Sequence, residues 1–73
     1  MSHDRLVYMA NQIGRFFAHQ KEEQAVAAIN DHIRKFWDPR MRKQILEDLD
    51  EATLDPRVRR AVEQLKGPAN PAP

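Results

Sequence analysis

Apolar residues recur along this chain at helical steps. Leu6, Met9, Ala10, Ile13, Phe16 and Phe17 follow one another at three- and four-residue spacing, the stripe of a first helix, while Asn11, Gln12 and Arg15 fall largely on its other faces. Val26, Ile29, Ile33, Phe36 and Trp37 make a second stripe, with Ala25 and Ala28 beside it. Met41, Ile45, Leu46 and Leu49 define a third helix, and Val58, Ala61, Val62 and Leu65 a short fourth. The expected fold is all-α, a small bundle of three to four short helices.

Local chemistry marks where these helices begin and end. Asp38-Pro39 and Asp55-Pro56 each put an acidic cap ahead of a proline. The carboxylate accepts from free backbone N–H groups, and proline at the first helical position loses no bond. The residue before a proline is pushed out of the helical region, so the second helix should stop near Trp37, at a helix–helix corner. The two corners share the pattern Asp-Pro-Arg-x-Arg, which fits the same capping physics reached twice. Ser2 or Asp4 can cap the first helix. The break at His19-Gln20-Lys21 carries no Gly or Pro and is weakly signalled, although Glu22 and Glu23 suit the start of a helix and Arg34 and Lys35 suit its end. Gly67 and Pro68 close the fourth helix. Residues 1–66 are thus expected to form one helical domain, and the Pro-rich residues 67–73 a flexible, disordered tail.

Two positions resist this local logic. Gly14 costs about 1 kcal/mol against alanine inside a helix, and either admits another backbone closely or has no role. The third helix runs from Arg42 and Lys43 to Glu47, Asp48, Asp50 and Glu51, a charge order that opposes its dipole at both ends. Its apolar face or a partner has to hold it.

With 73 residues the chain can bury only a small core, which supplies no more than about 3–5 kcal/mol of net stability. It has no cysteine, which removes disulfides, thiolate zinc sites and iron–sulfur ligation. Twelve basic and eleven acidic residues leave a formal charge of +1, too balanced for a typical nucleic-acid-binding domain. No apolar run is long enough to span a membrane and no signal peptide is visible, so a cytoplasmic location is expected.

Catalytic chemistry is scarce. The hydroxyls are Ser2, Tyr8 and Thr53, two of them at cap and turn positions. His3, His19 and His32 lack metal-ligand spacing, and no Gly-rich phosphate loop exists. The carboxylates gathered on the third helix suit a solvated face. Around Phe36 and Trp37 lie Arg34, Lys35, Arg40, Arg42 and Lys43. Three readings stand there: a packed Trp37 with solvated charges, a protein–protein hot spot, or a stacking surface for single-stranded nucleic acid.

Beyond the spacing, several blocks carry a family resemblance. They are Met9-Ala10-Asn11-Gln12-Ile13 with Arg15-Phe16-Phe17, Ala25-Val26, Asp31 through Met41, Leu54-Asp55-Pro56 and Val58-Arg59. Over roughly residues 8 to 65 they resemble the delta subunit of NAD-dependent, molybdenum-containing formate dehydrogenase. The resemblance implies a non-catalytic accessory subunit of a cytoplasmic complex, with no cofactor, metal or catalytic residue of its own. In that complex the alpha subunit carries bis-molybdopterin guanine dinucleotide and iron–sulfur clusters, beta carries flavin and binds NAD, and gamma carries a further cluster. The implied partner is the large alpha subunit, within a complex with beta and gamma, and the implied role is assembly, stability or cofactor maturation, without nucleic acid or membrane. The expected partner-binding residues are Phe16, Phe17, Arg34, Phe36, Trp37, Pro39, Arg40 and Met41. The alternative is a free-standing helical regulatory or nucleic-acid-binding protein.

Overall fold

Two aspartate–proline corners set the path of the chain. The computed structural model describes residues 3–49 and 53–66. Helix α1 (His3–Phe16) is followed by α2 (Glu22–Phe36), α3 (Pro39–Glu47) and α4 (Pro56–Glu63), which runs on into a 3₁₀ turn, Gln64–Lys66. No strand occurs among the described residues, and the fold is the expected all-α bundle. The expectations for Ser2, for Asp50 and Glu51, and for the tail beyond Lys66 fall outside the described residues.

Both corners form as capping chemistry requires. The Asp38 carboxylate accepts from the backbone N–H of Met41 at 2.9 Å, and that of Asp55 from Arg57 at 3.0 Å, with a proline opening each helix. Trp37, just ahead of Asp38, has already left the helix (φ −92°, ψ 138°), while its N–H still bonds to the Ile33 carbonyl at 2.9 Å. The entry to α2 has no such device. Lys21 sits at its N-cap with no side-chain bond, and Glu22 and Glu23 supply charge to the first turn instead.

The core gathers one face from every helix. Leu6 and Ala10 of α1, Val26, Ile29 and Ile33 of α2, Ile45 of α3, and Val58, Ala61 and Val62 of α4 are buried together with Trp37, Leu49 and Leu65. α4 packs most extensively on α2, and α1 touches all three other helices. Trp37, only 5% exposed, belongs to this core. Gly14 is explained by close approach, although what approaches is a side chain and not a backbone. A Cβ there would run into Cγ2 of Val58 on α4.

Two stripes depart from even burial. Phe16 and Phe36 share the apolar stripes of α1 and α2 and stand among the expected partner-binding residues, and they are 74% and 71% exposed. A narrow bundle covers only the middle of each stripe, and both residues sit at the last position of their helices, where nothing follows to cover them. The third helix stops at Glu47, two residues short of Leu49. The Asp48 N–H bonds to Gln44, and the Leu49 N–H reaches back only three residues to Leu46, so the last turn tightens while Leu49 stays buried.

Arginines complete the frame. The last carbonyls of a helix have no partner within it and need outside donors. After α1, the Ala18 and Gln20 carbonyls accept from Arg57 at 2.8 and 3.4 Å. At the end of α2, the Arg34 and Trp37 carbonyls accept from Arg42 at 3.2 and 2.6 Å. After α3, the Leu49 carbonyl accepts from Arg59 at 2.9 Å, and at the end of α4 that of Gln64 accepts from Arg34 at 2.9 Å. Arg42 therefore stands in the wrong place for the dipole of α3 because it serves the end of α2.

Candidate partner-binding face

The largest exposed apolar side chains gather on one side of the molecule. On α1, Tyr8, Met9, Gln12 and Phe16 flank the buried stripe, and on α2 His32 and Phe36 stand one turn apart. Four rings run in series across the two helices. Phe16 meets Phe17 edge to face at 5.1 Å between centroids, Phe17 meets His32 at 6.4 Å, and His32 lies against Phe36 at 4.7 Å. Such contacts suit the ring quadrupole and fix the rings relative to one another. Phe17 and His32 are half-buried, whereas Tyr8, Phe16 and Phe36 are 64–74% exposed.

Beside this series lies an open groove of about 430 Å³. Tyr8, Met9, Gln12 and Ile13 line it from α1, and His32, Phe36, Trp37 and Met41 from the α2–α3 corner. Gln12 donates to the Tyr8 hydroxyl at 2.7 Å, which satisfies the phenol at the edge of the groove. Met41 is shared with a second opening of about 440 Å³, lined also by Leu6, Asp38, Arg40 and Gln44. The apolar face thus continues to the first turn of α3, where Arg40 stands exposed. The Arg40 side chain makes no hydrogen bond or ion pair with another described residue.

The structure brings together Phe16, Phe17, Phe36, Met41 and an edge of Trp37, with Arg40 at the end of the same surface and Pro39 exposed beside it. Arg34 is not part of it. It lies on the side of α2 that faces α4, where it bonds to Asn30 and to the Gln64 carbonyl, each at 2.9 Å. Five residues that line the groove, Tyr8, Met9, Gln12, Ile13 and His32, have no place in the site expected from sequence. Tyr8 and Gln12 one turn apart, then Phe16 one turn further, was the available signal.

Several charges elsewhere are engaged within the fold. Glu23, then Glu22, hydrogen-bond to Arg60, join α2 to α4 and hold the Arg60 guanidinium above its ordinary pKa. Lys35 pairs with Asp31 at 3.1 Å. Asn30 donates to the Ala61 carbonyl, and Asn11 spans the approach to α4 by donating to Thr53 and accepting from the N–H of Asp55, all at 2.9 Å. Among the described residues no group of three or more His, Cys, Asp or Glu side chains is placed to hold a metal ion. No described helix is long and apolar enough to cross a membrane.

The model of one protein family matches residues 5–62. That family is described as NADH-dependent formate dehydrogenase delta subunit FdsD. No curated protein and no solved structure matches the chain.

Proposed function

The chain belongs to the NADH-dependent formate dehydrogenase delta subunit family, and on that premise we propose that it is a non-catalytic accessory subunit of a cytoplasmic formate dehydrogenase complex. It binds the large molybdenum-containing alpha subunit, in a complex that also holds beta and gamma, and supports assembly, stability or cofactor maturation. Formate oxidation and NAD reduction belong to the other subunits. The observation that carries the proposal is the aromatic face itself. Tyr8, Phe16 and Phe36 stand largely in water on a chain too small to spare three large apolar side chains from its core. Aromatic anchors clustered with an arginine are the composition of a protein–protein hot spot.

The test is to produce the complex with and without this chain. The chain is expected to co-purify with the large subunit, and its omission to lower the yield of assembled, formate-oxidising enzyme. Alone it should reduce neither NAD nor an artificial electron acceptor with formate. Turnover by the isolated chain, or a complex that assembles fully and excludes it, would refute the proposal.

A further inference from the structure

We infer that the aromatic face receives one amphipathic helix of the large subunit, lying along α1 with apolar anchors in the groove and a carboxylate against Arg40. The inference rests on the accessory role proposed above and adds the chemistry of the contact. From Tyr8 to Phe16 the face follows α1 for eight residues, about 12 Å or two helical turns. That length matches the i, i+3, i+4 and i+7 anchors by which a helix fills an apolar groove. An added strand would need an open sheet edge, which the described residues do not offer.

Charge selects among the other occupants. Single-stranded nucleic acid needs a basic track along its backbone beside the stacking rings. Of the five cations that the sequence places beside Phe36 and Trp37, Arg34 and Arg42 are engaged on backbone carbonyls, Lys35 pairs with Asp31, and the exposed Lys43 lines neither opening of the face. Arg40 alone marks the end of the face, one cation and not a track. A second copy of the chain would have to bring Arg40 a carboxylate from its own copy of this face. The carboxylates that adjoin residues of the face in sequence are Asp31, beside His32 and paired with Lys35, and Asp38, beside Trp37, which caps α3. A partner helix with its own acidic residue meets both demands. It also explains a cation in the first turn of α3, where the helix dipole disfavours positive charge.

The experiment uses the assembled complex. A photo-cross-linking phenylalanine analogue replaces Phe36 in one preparation, Phe16 in a second, and the exposed Glu63 of α4 in a third, and the attached peptides are sequenced. Phe36 and Phe16 are expected to mark a single stretch of the large subunit, with apolar residues at three- and four-residue spacing and an Asp or Glu within about a turn. Arg40→Glu should weaken retention of the chain about thirty-fold, as loss of a hot-spot arginine does, and Arg40→Lys far less. Replacing the identified carboxylate by lysine should restore the Arg40→Glu variant. Attachment to a second copy, to nucleic acid, or to a partner segment without helical spacing would overturn the inference. So would attachment from Glu63 alone with the chain still in the complex, and that result would leave the accessory role standing. A chain that never enters the complex would instead remove the accessory role.

Discussion

Gly14→Ala tests the contact between α1 and α4. In an open helix the change should stabilise by about 1 kcal/mol, because glycine carries the larger entropic cost. Here the new methyl group meets Cγ2 of Val58, and Val58 is fully buried and has no free side to move into. Overpacking of that kind costs about 1–3 kcal/mol. The net change in the wild-type background should therefore lie between neutral and about 2 kcal/mol destabilising. A double-mutant cycle separates the two contributions. In a Val58→Ala background the obstructing methyl is gone, so the same Gly14→Ala change should stabilise by about 1 kcal/mol. The coupling between the two sites should reach about 1–3 kcal/mol, as for residues that share a packing volume. Urea melts followed by circular dichroism at constant m-value give the four free energies. Gly14→Ala stabilising equally in both backgrounds would show that α1 and α4 do not meet there.

Other consequences can be measured in the same way. Asp38→Ala and Asp55→Ala should each cost about 0.5–2 kcal/mol in a denaturant melt, as loss of a cap does, and silence of both would mean that neither carboxylate holds its helix. Trp37→Ala removes a core aromatic at a cost of about 3–5 kcal/mol, comparable with everything a core of this size supplies. The variant should be largely unfolded by circular dichroism at 25 °C, and a cooperative native melt would contradict the burial of the ring.

What the sequence discloses about this fold is what depends on near neighbours. The two Asp-Pro corners could be read because a cap acts over three residues, and the middle of each stripe because burial follows helical spacing. Phe16 and Phe36 could not be placed that way. Periodicity says which side of a helix is apolar, whereas the number and position of neighbouring helices decide how much of that side is covered. The arginines are harder still. Arg57 reaches a carbonyl 39 residues away in sequence and Arg34 one 30 away, so no local pattern separates an arginine that ends another helix from one that awaits a partner. For that reason Arg34 and Arg40 are expected on the same surface from the sequence, whereas in the fold Arg34 bonds to Asn30 and the Gln64 carbonyl and Arg40, six residues on, stands exposed.

The arginine contacts also bear on how the chain comes apart. Helix ends ordinarily fray at little cost, and their amides exchange with solvent through small local openings. Here the last carbonyls of α2 depend on α3 through Arg42, those after α3 depend on α4 through Arg59, and those of α4 depend on α2 through Arg34. The dependence is circular, so opening the end of any one of these helices releases a donor or acceptor held by another. Hydrogen exchange in the final turns of α2, α3 and α4 should therefore share one opening, with the three helices unfolding as one cooperative unit.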